Sequence, residues 1–407
     1  MGLFHRFQII RMGSTMLRGL PSYQKPPENY SCEVPYFSVS DFGKNIKQFD
    51  EIIDVRTEDE FAEDRIFNAI NLPVLDNQQR IEIGTLYKKE KSIAKKLGAA
   101  LINKNTSEHI VNHFMNKDLN YKPLIYCWRG GHRSRSLAII LKEIGFQPAI
   151  LSGGYKEYRK MVRNKVQEET TDDNRTTFDD CKIILVSGST GSGKSLLLET
   201  LEKRGEQILH LEDLAKHKGS VLGNYPNEAQ PSQKLFETKI YQKIEFDFDP
   251  RKVIWVENES TKVGQCNVPM RVWKKMLQSP RIHINVSLKD RVQFLLKDYE
   301  YMCTEESKAG LIEILTKLEK HAGKKKPAEW CEMVRSSQYE ELIEDLMVEY
   351  YDKNYKKPRG SAMETYNIPG GLILDQNKLM NSDMMEDIIA LGDNYISDYK
   401  KKSSEEI

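Results

Sequence analysis

Cys127 stands in the run Cys127-Trp128-Arg129-Gly130-Gly131-His132-Arg133-Ser134, among the residue types that a reactive thiol needs. The strand-like segment Pro123-Leu124-Ile125-Tyr126 ends directly at it, and helical spacing runs from Ser134 to Ile144. A thiol at such a junction faces converging backbone N–H groups and the positive end of a helix, which lower its pKa and favour the nucleophilic thiolate. Gly130 and Gly131 allow a tight cradle that a Cβ would obstruct. Arg129 and Arg133 add positive charge able to hold a thiolate, a persulfide or an approaching oxyanion. Arg133 is also the sixth residue after Cys127 and is followed by Ser134, the spacing of a cysteine phosphatase cradle. On spacing alone, chemistry on phosphate monoesters therefore stays open.

A second anion loop lies further along, at Gly188-Ser189-Thr190-Gly191-Ser192-Gly193-Lys194-Ser195. It fits G-x-x-x-x-G-K-S after the apolar strand from Lys182 to Ser187 and before Leu196-Leu197-Leu198. Backbone N–H groups around Gly188, Gly191, Ser192 and Gly193 would cradle phosphate oxygens, Lys194 would neutralise them, and Ser195 could bind Mg²⁺. Such a loop does not specify hydrolysis, because the same cradle holds any diphosphate. An acidic residue at the end of a strand is the next expected part. Trp255-Val256-Glu257-Asn258-Glu259-Ser260 supplies Glu257 and Glu259, each readable as a metal, substrate or general-base contact or as plain strand-end polarity. His217, Lys218 and Ser220 in a Gly-Ser turn offer further phosphate or RNA contacts. Tyr355, Lys356, Lys357 and Arg359 follow Tyr350-Tyr351-Asp352, and interleaved aromatics and bases suit RNA stacking and backbone contacts. Tyrosines there are equally suited to helix packing.

These loops need strands to carry them. Short apolar runs at 51–55, 69–73, 123–126 and 149–151 alternate with helical stretches, among them residues 88–103, and imply a parallel α/β sheet. A second α/β unit opens at Lys182, with later strands expected at 207–211, 252–256 and 281–286. From about Asp290 the pattern turns helical and charged, with little further strand signal. The expected division is an N-terminal extension (1–35), a first domain (36–165), a polar linker (166–180), a second α/β domain (181–290), a helical region (291–365) and a fraying C-terminal tail (366–407).

With 407 residues the chain is long enough for several cores, and its formal charge of +1 hides local contrast. Lys156 to Lys165 holds five bases and one acid, a candidate polyanion contact or an ordinary solvated helix face. The six cysteines include no CxxC pair, which argues against a structural metal, a thioredoxin pair or a disulfide framework and suits a reducing compartment. No apolar run reaches membrane-spanning length, so no membrane partner is expected. The first 27 residues carry Arg6, Arg11, Arg18 and Lys25 and no acid, the composition of an organellar transit segment. A disordered or alternatively started N-terminus, with Met12 or Met16 available, is the plainer reading and goes with a cytoplasmic location.

Asp54-Val55-Arg56, Glu60-Phe61, Ala69-Ile70-Asn71-Leu72-Pro73, the cysteine run and Leu151-Ser152-Gly153-Gly154-Tyr155 resemble a rhodanese domain in sequence and order. The resemblance implies that Cys127 is the nucleophile carrying a transferable chalcogen, and that Asp54 and Arg56 form a structural network near its loop. It departs at Phe67-Asn68, where that family commonly has a Pro-Gly turn. The order of the two loops, together with Gly84-Thr85-Leu86-Tyr87-Lys88-Lys89, His217-Lys218-Gly219-Ser220, Trp255 to Ser260 and Tyr350-Tyr351-Asp352, resembles the tRNA 2-selenouridine synthase family over residues 36–360. The implied fold is α/β: a rhodanese-like parallel-sheet domain, then a P-loop NTPase-like α/β domain with a helical C-terminal region.

The implied substrate is tRNA with a wobble 2-thiouridine. Its sulfur would be geranylated from geranyl diphosphate held by the P-loop and then exchanged for selenium from selenophosphate with the participation of Cys127, a perselenide being one form that could take. No permanent cofactor is implied beyond these co-substrates and Mg²⁺; a selenophosphate supplier is an expected partner, and a monomer is the expected state. Rival readings are an ATP-dependent tRNA sulfurtransferase, a rhodanese-type sulfurtransferase, a nucleotide kinase, and an RNA-binding scaffold with a decayed rhodanese domain. The intact Cys127 loop argues against the last.

Overall fold

Apolar runs of a few residues, too short for helices and followed by polar turns, form two parallel sheets, and each sheet aims one anion loop. The computed structural model describes residues 33–168, 171, 175–225, 228–258, 260–355, 365–370 and 373–405. Nearly all of the N-terminal extension, Glu259, and Lys356, Lys357 and Arg359 lie outside the described residues.

The first sheet contains β1 (Tyr36–Phe37), β2 (Glu51–Asp54), β3 (Ala69–Asn71), β4 (Pro123–Tyr126) and β5 (Ala149–Leu151) in the order β1-β5-β4-β2-β3, all parallel. Its helices are α1 (Glu58–Glu63), α2 (Asn77–Lys89), α3 (Lys91–His109), α4 (His132–Ile144) and α5 (Gly154–Gln167). β4 is central and buried along its whole length, as a parallel strand covered on both faces must be. Leu124 and Tyr126 face a cluster with Phe42 and Tyr158, while Ile125 faces Leu137 and Leu141 of α4. The helix expected over 88–103 is instead two. A capping box between Asp76 and Gln79 starts α2 early, and Glu90 leaves helical geometry at φ −138° and ψ 78° before α3 begins. At the departure from the Pro-Gly turn, Asn68 takes the left-handed conformation at φ 56°, which asparagine tolerates better than most residues.

The expected linker at 166–180 is structured at both ends. Val166 is buried at the end of α5, and a short helix, Thr177–Asp180, starts from a capping box between Thr176 and Asp179. Its Phe178 is 1% exposed and joins the core of the second domain. The polar composition hid this because one aromatic carries the anchoring.

The second domain runs through β6 (Lys182–Gly188), α6 (Lys194–Lys203), β7 (Gln207–Leu209), α7 (Leu211–Ala215), α8 (Gln233–Gln242), β8 (Val253–Glu257), an antiparallel hairpin of β9 (Lys262–Val263) and β10 (Cys266–Asn267), α9 (Met270–Leu277), β11 (Arg281–Asn285) and α10 (Leu288–Asp298). A helical region follows with α11 (Lys308–Thr316), α12 (Lys325–Arg335) and α13 (Tyr339–Leu346), packed on Leu315, Trp330 and Val334. The chain then returns to the sheet as β12 (Thr365–Pro369) and ends in α14 (Asp383–Glu405). The sheet order is β12-β11-β6-β8-β7, all parallel. From the neighbouring strands β6 and β8 the crossovers leave in opposite directions, β6 toward β7 and β8 toward β11, so the phosphate loop sits where parallel α/β sheets bind ligands.

The tail expected at 366–407 is therefore corrected. Thr365 to Pro369 pairs residue for residue with Arg281 to Asn285, and Met385 and Ile388 are buried beside Trp255. An edge strand ending in proline lacks a strong strand pattern, which is why the sequence showed little signal for it.

The domains share a core. Tyr241 and Phe246 enter the first domain's cluster, with the Phe246 ring 4.5 Å from that of Phe67. Beside them, Arg159 of α5 binds the Glu237 carboxylate and the Lys234 carbonyl oxygen of α8.

Candidate functional site

Cys127 follows the last residue of β4 and is 4% exposed. The Gly131 N–H donates to its Sγ at 3.3 Å, and the Ser134 hydroxyl lies 3.3 Å from the same atom and 3.1 Å from the Gly131 carbonyl. Burial pushes the thiol pKa up, but the Ser134 hydroxyl, the Ser134 and Arg129 backbone groups and the Arg133 charge together bring it below the ordinary value. Burial instead raises Cys266 and Cys303, and pushes Cys181 up to about 11. Cys127 is thus prepared to be a thiolate where these are not.

The glycines divide their work differently from expectation. Gly130 takes φ 65°, and a Cβ there would come within 2.5 Å of the Leu151 carbonyl oxygen. A Cβ on Gly131 would meet nothing within 4 Å, so its contribution is the N–H and not a missing side chain. The second close approach belongs to Gly154, where a Cβ would lie 2.3 Å from the Cys127 carbonyl oxygen.

Around the loop, Arg56 grips Asp54 through Nε at 3.1 and 3.0 Å and Nη2 at 2.6 Å, and also donates to the Asp64 carbonyl oxygen at 2.6 Å. Its guanidinium lies 3.9 Å from the Tyr155 ring centre, and the Tyr155 hydroxyl donates to the Asp64 carboxylate at 2.7 Å. Burial disfavours the Arg56 charge, yet Asp54 more than offsets it and holds Arg56 protonated above its ordinary value. The pair is buried structure beneath the loop. Arg133 pairs with Glu60 at 2.7 Å, which leaves exposed Arg129 as the cation facing solvent at the loop.

At the phosphate loop, Gly191 and Gly193 adopt φ 77° and 81°, turning successive N–H groups toward one space ahead of α6. A Cβ on Gly188 would meet the Ser192 Oγ at 2.3 Å, and one on Gly193 would meet Leu374 and Ile373 at 3.0 and 3.1 Å. Residues read as tail thus press on the loop. Lys194 Nζ donates to the Gly188 carbonyl oxygen at 3.1 Å, holding its charge over the cradle. The Ser192 hydroxyl is buried with no hydrogen-bond partner among the described residues, a polar atom left for a ligand oxygen.

The loop opens on a cavity of about 880 Å³. Ser195, Lys218, Ser220 and Glu257 line it with Tyr299 and Tyr351, and every lining residue belongs to the second domain or its helical region. The two anion loops therefore do not share this cavity. Lys218 is paired with Asp298 at 2.8 Å and lies 4.6 Å from the Tyr299 ring centre. His217 is 7% exposed and accepts the Gly219 N–H at 3.1 Å, so it shapes the turn rather than facing the cavity.

Glu257, at the end of β8 beside β6, is 1% exposed, which removes the reading as surface polarity. It accepts the Leu211 N–H at 3.0 Å and lies 3.6 Å from His210 Nδ1. Burial lowers the His210 pKa, but Glu257, Asp213 and Glu202 raise it above the ordinary histidine value. His210 also lines the cavity. No local pattern marks His210, nor Arg291, which donates to Asp352 at 3.0 and 2.8 Å and to the Thr190 carbonyl oxygen at 3.3 Å. Both act through partners distant in sequence.

Other expected nucleic-acid contacts are absorbed elsewhere or lie outside the described residues. In α5, Arg159 is spent on the domain interface, Lys165 on the Arg175 carbonyl oxygen, and Lys160 and Arg163 approach Glu157 and Glu168. Tyr355 ends the short helix Asp352–Tyr355, while Glu259, Lys356, Lys357 and Arg359 lie outside the described residues. No cluster of three or more His, Cys, Asp or Glu able to hold a metal ion occurs among the described residues, and none of their helices is long and apolar enough to cross a membrane.

Comparison with known proteins agrees with this two-loop architecture. Residues 38–161 match the rhodanese-like domain, and residues 181–371 match the tRNA 2-selenouridine synthase AAA domain. A tRNA 2-selenouridine synthase of Psychromonas ingrahamii is 32% identical over 64% of this chain and 68% of that protein. One of Bdellovibrio bacteriovorus is 33% identical over 61% of this chain and 64% of its own length. One of Pseudomonas putida F1 is 27% identical but spans 79% of this chain and 91% of that protein. A rhodanese-like domain followed by this particular AAA domain, together with a relative 32% identical over 68% of its length, places the chain in the tRNA 2-selenouridine synthase family.

Proposed function

We propose that this chain converts 2-thiouridine at the wobble position of tRNA to 2-selenouridine in two steps served by different loops. The observation that carries the reading is a division of chemistry: a thiol tuned below its ordinary pKa in one domain, and in the other a phosphate cradle whose cavity is lined by no cysteine among the described residues. The relatives' name, tRNA 2-selenouridine synthase, supplies the product.

In the first step the uridine sulfur attacks the allylic carbon of geranyl diphosphate. A carbon–sulfur bond forms, the carbon–oxygen bond breaks, diphosphate leaves and the base loses its N3 proton. The cradle N–H groups and Lys194 stabilise the charge growing on the leaving oxygen. Ser195 would hold Mg²⁺ together with the donor's phosphate oxygens, the metal adding charge neutralisation. His210, whose pKa the Glu257 carboxylate raises above the ordinary histidine value, stands in the same cavity and is placed to give a proton to the diphosphate. In the second step the selenium of selenophosphate, brought by a separate supplier, attacks C2 of the base: a carbon–selenium bond forms, the carbon–sulfur bond breaks and geranylthiol leaves. Water then cleaves the selenium–phosphorus bond, releasing phosphate and returning the N3 proton, and Cys127 serves this exchange.

The test is nucleoside mass spectrometry of thiolated tRNA incubated with the protein, geranyl diphosphate and selenophosphate, without ATP. S-geranylated and then selenated uridine is expected. Product that forms only with ATP would favour the sulfurtransferase reading instead.

A further inference from the structure

Beside the phosphate cradle lies a second, smaller cleft enclosing about 50 Å³, with Leu295, Leu311, Leu342, Leu346 and Met347 in its wall. Thr190, Ser220, Leu295, Tyr299 and Tyr351 line both this cleft and the larger cavity, so the two adjoin across a shared wall. The join is rigid. Gly191 approaches α10 so closely that a Cβ would come within 2.9 Å of the Leu295 Cγ, and Arg291 ties the Thr190 carbonyl to Asp352. A molecule whose phosphates occupy the cradle therefore lies one shared residue, Thr190, from an apolar recess.

We infer that this recess is the subsite for the isoprenoid chain of the donor, and that the helical region α11–α13 exists in part to form it. The inference rests on the geranyl-donor reading above. A nucleotide placed the same way would put a base with several hydrogen-bonding edges against leucines and methionine, leaving those groups unpaired. An isoprenoid chain asks for nothing but apolar contact. The enclosed volume accepts the distal end of the chain, while the reacting carbon stays at the mouth beside Tyr299 and Tyr351.

The experiment compares binding of inorganic diphosphate, dimethylallyl diphosphate and geranyl diphosphate to the full chain, wild type and Met347→Trp. Met347 lines the recess and not the larger cavity. For wild type, each added carbon that becomes buried is expected to strengthen binding by about fourfold. In Met347→Trp the gain from dimethylallyl to geranyl should disappear while diphosphate binding stays. A photoreactive geranyl diphosphate analogue on wild type should label the segment from Leu342 to Met347, which keeps the test valid if the variant misfolds. Geranyl transfer that continues with unchanged chain-length preference in a folded Met347→Trp, or labelling only in other segments, would overturn the subsite and leave the proposed function standing. Chain-dependent binding lost in the variant, with no geranyl transfer by wild type, would keep the subsite and reject the function. Wild-type binding indifferent to the chain would reject the subsite.

Discussion

Gly154 approaches Cys127 so closely that a Cβ on it would lie 2.3 Å from the Cys127 carbonyl oxygen, and its φ is 60°. The start of α5 is thereby seated directly under the nucleophile, and the Tyr155 N–H donates to that same carbonyl at 2.9 Å. Gly154→Ala should push the loop off this seat. Left-handed geometry alone costs about 1–2 kcal/mol for a residue with a Cβ, and the collision adds to it. Lower stability by chemical denaturation, together with a raised Cys127 thiol pKa, is the expected result; a variant with wild-type stability and thiol titration would contradict the seat.

Ser134 is the hydroxyl whose hydrogen can turn from the Gly131 carbonyl to the Cys127 sulfur when the thiol ionises. Ser134→Ala should therefore raise the Cys127 pKa and slow its alkylation at neutral pH, with the fold retained. A pH titration of thiolate absorbance reads this directly, with buried Cys181 remaining protonated through the range as the internal contrast.

The His210–Glu257 contact makes stability depend on pH with a definite sign. The folded-state pKa of His210 is raised, so its contribution is fully present below the ordinary value of 6.5 and disappears as pH rises through the folded value. His210→Asn should thus cost more at about pH 5.5 than at about pH 8.5. Equal costs at both would show that Glu257 does not hold the charge.

The domain seam carries a buried ion pair between Arg159 and Glu237, 16% and 5% exposed. Removing one partner strands the other, so Arg159→Met should destabilise by about 3 kcal/mol. Arg159→Met with Glu237→Leu should recover much of that loss. Chemical denaturation of the single and double variants distinguishes this coupling from a surface pair, whose removal changes stability by less than about 1 kcal/mol.

Ile388 of α14 is 1% exposed in the cluster around Trp255. Ile388→Ala should destabilise by about 3 kcal/mol, as removal of a core side chain does. A fraying tail would show no loss in the same thermal or denaturant melt.

What could be read along the chain was chemistry confined to contiguous residues. The Cys127 and Gly188–Ser195 loops each follow a buried strand and precede a helix, so local pattern was enough to find them. Gly131 was misread because proximity in sequence to Gly130 does not tell which of the two meets a neighbour. His210 with Glu257 and Arg291 with Asp352 were illegible because each pair is joined only by the fold. β12 escaped because its pairing with β11 supplies the strand character that Thr-Tyr-Asn-Ile-Pro lacks alone.

The division of labour between the loops is tested most directly by nucleoside mass spectrometry of tRNA treated with Cys127→Ala and Lys194→Ala proteins. Cys127→Ala should accumulate S-geranyl-2-thiouridine and form no 2-selenouridine, whereas Lys194→Ala should be impaired in forming the geranylated nucleoside. Equal loss of both products in Cys127→Ala, or unchanged geranyl transfer in Lys194→Ala, would contradict it.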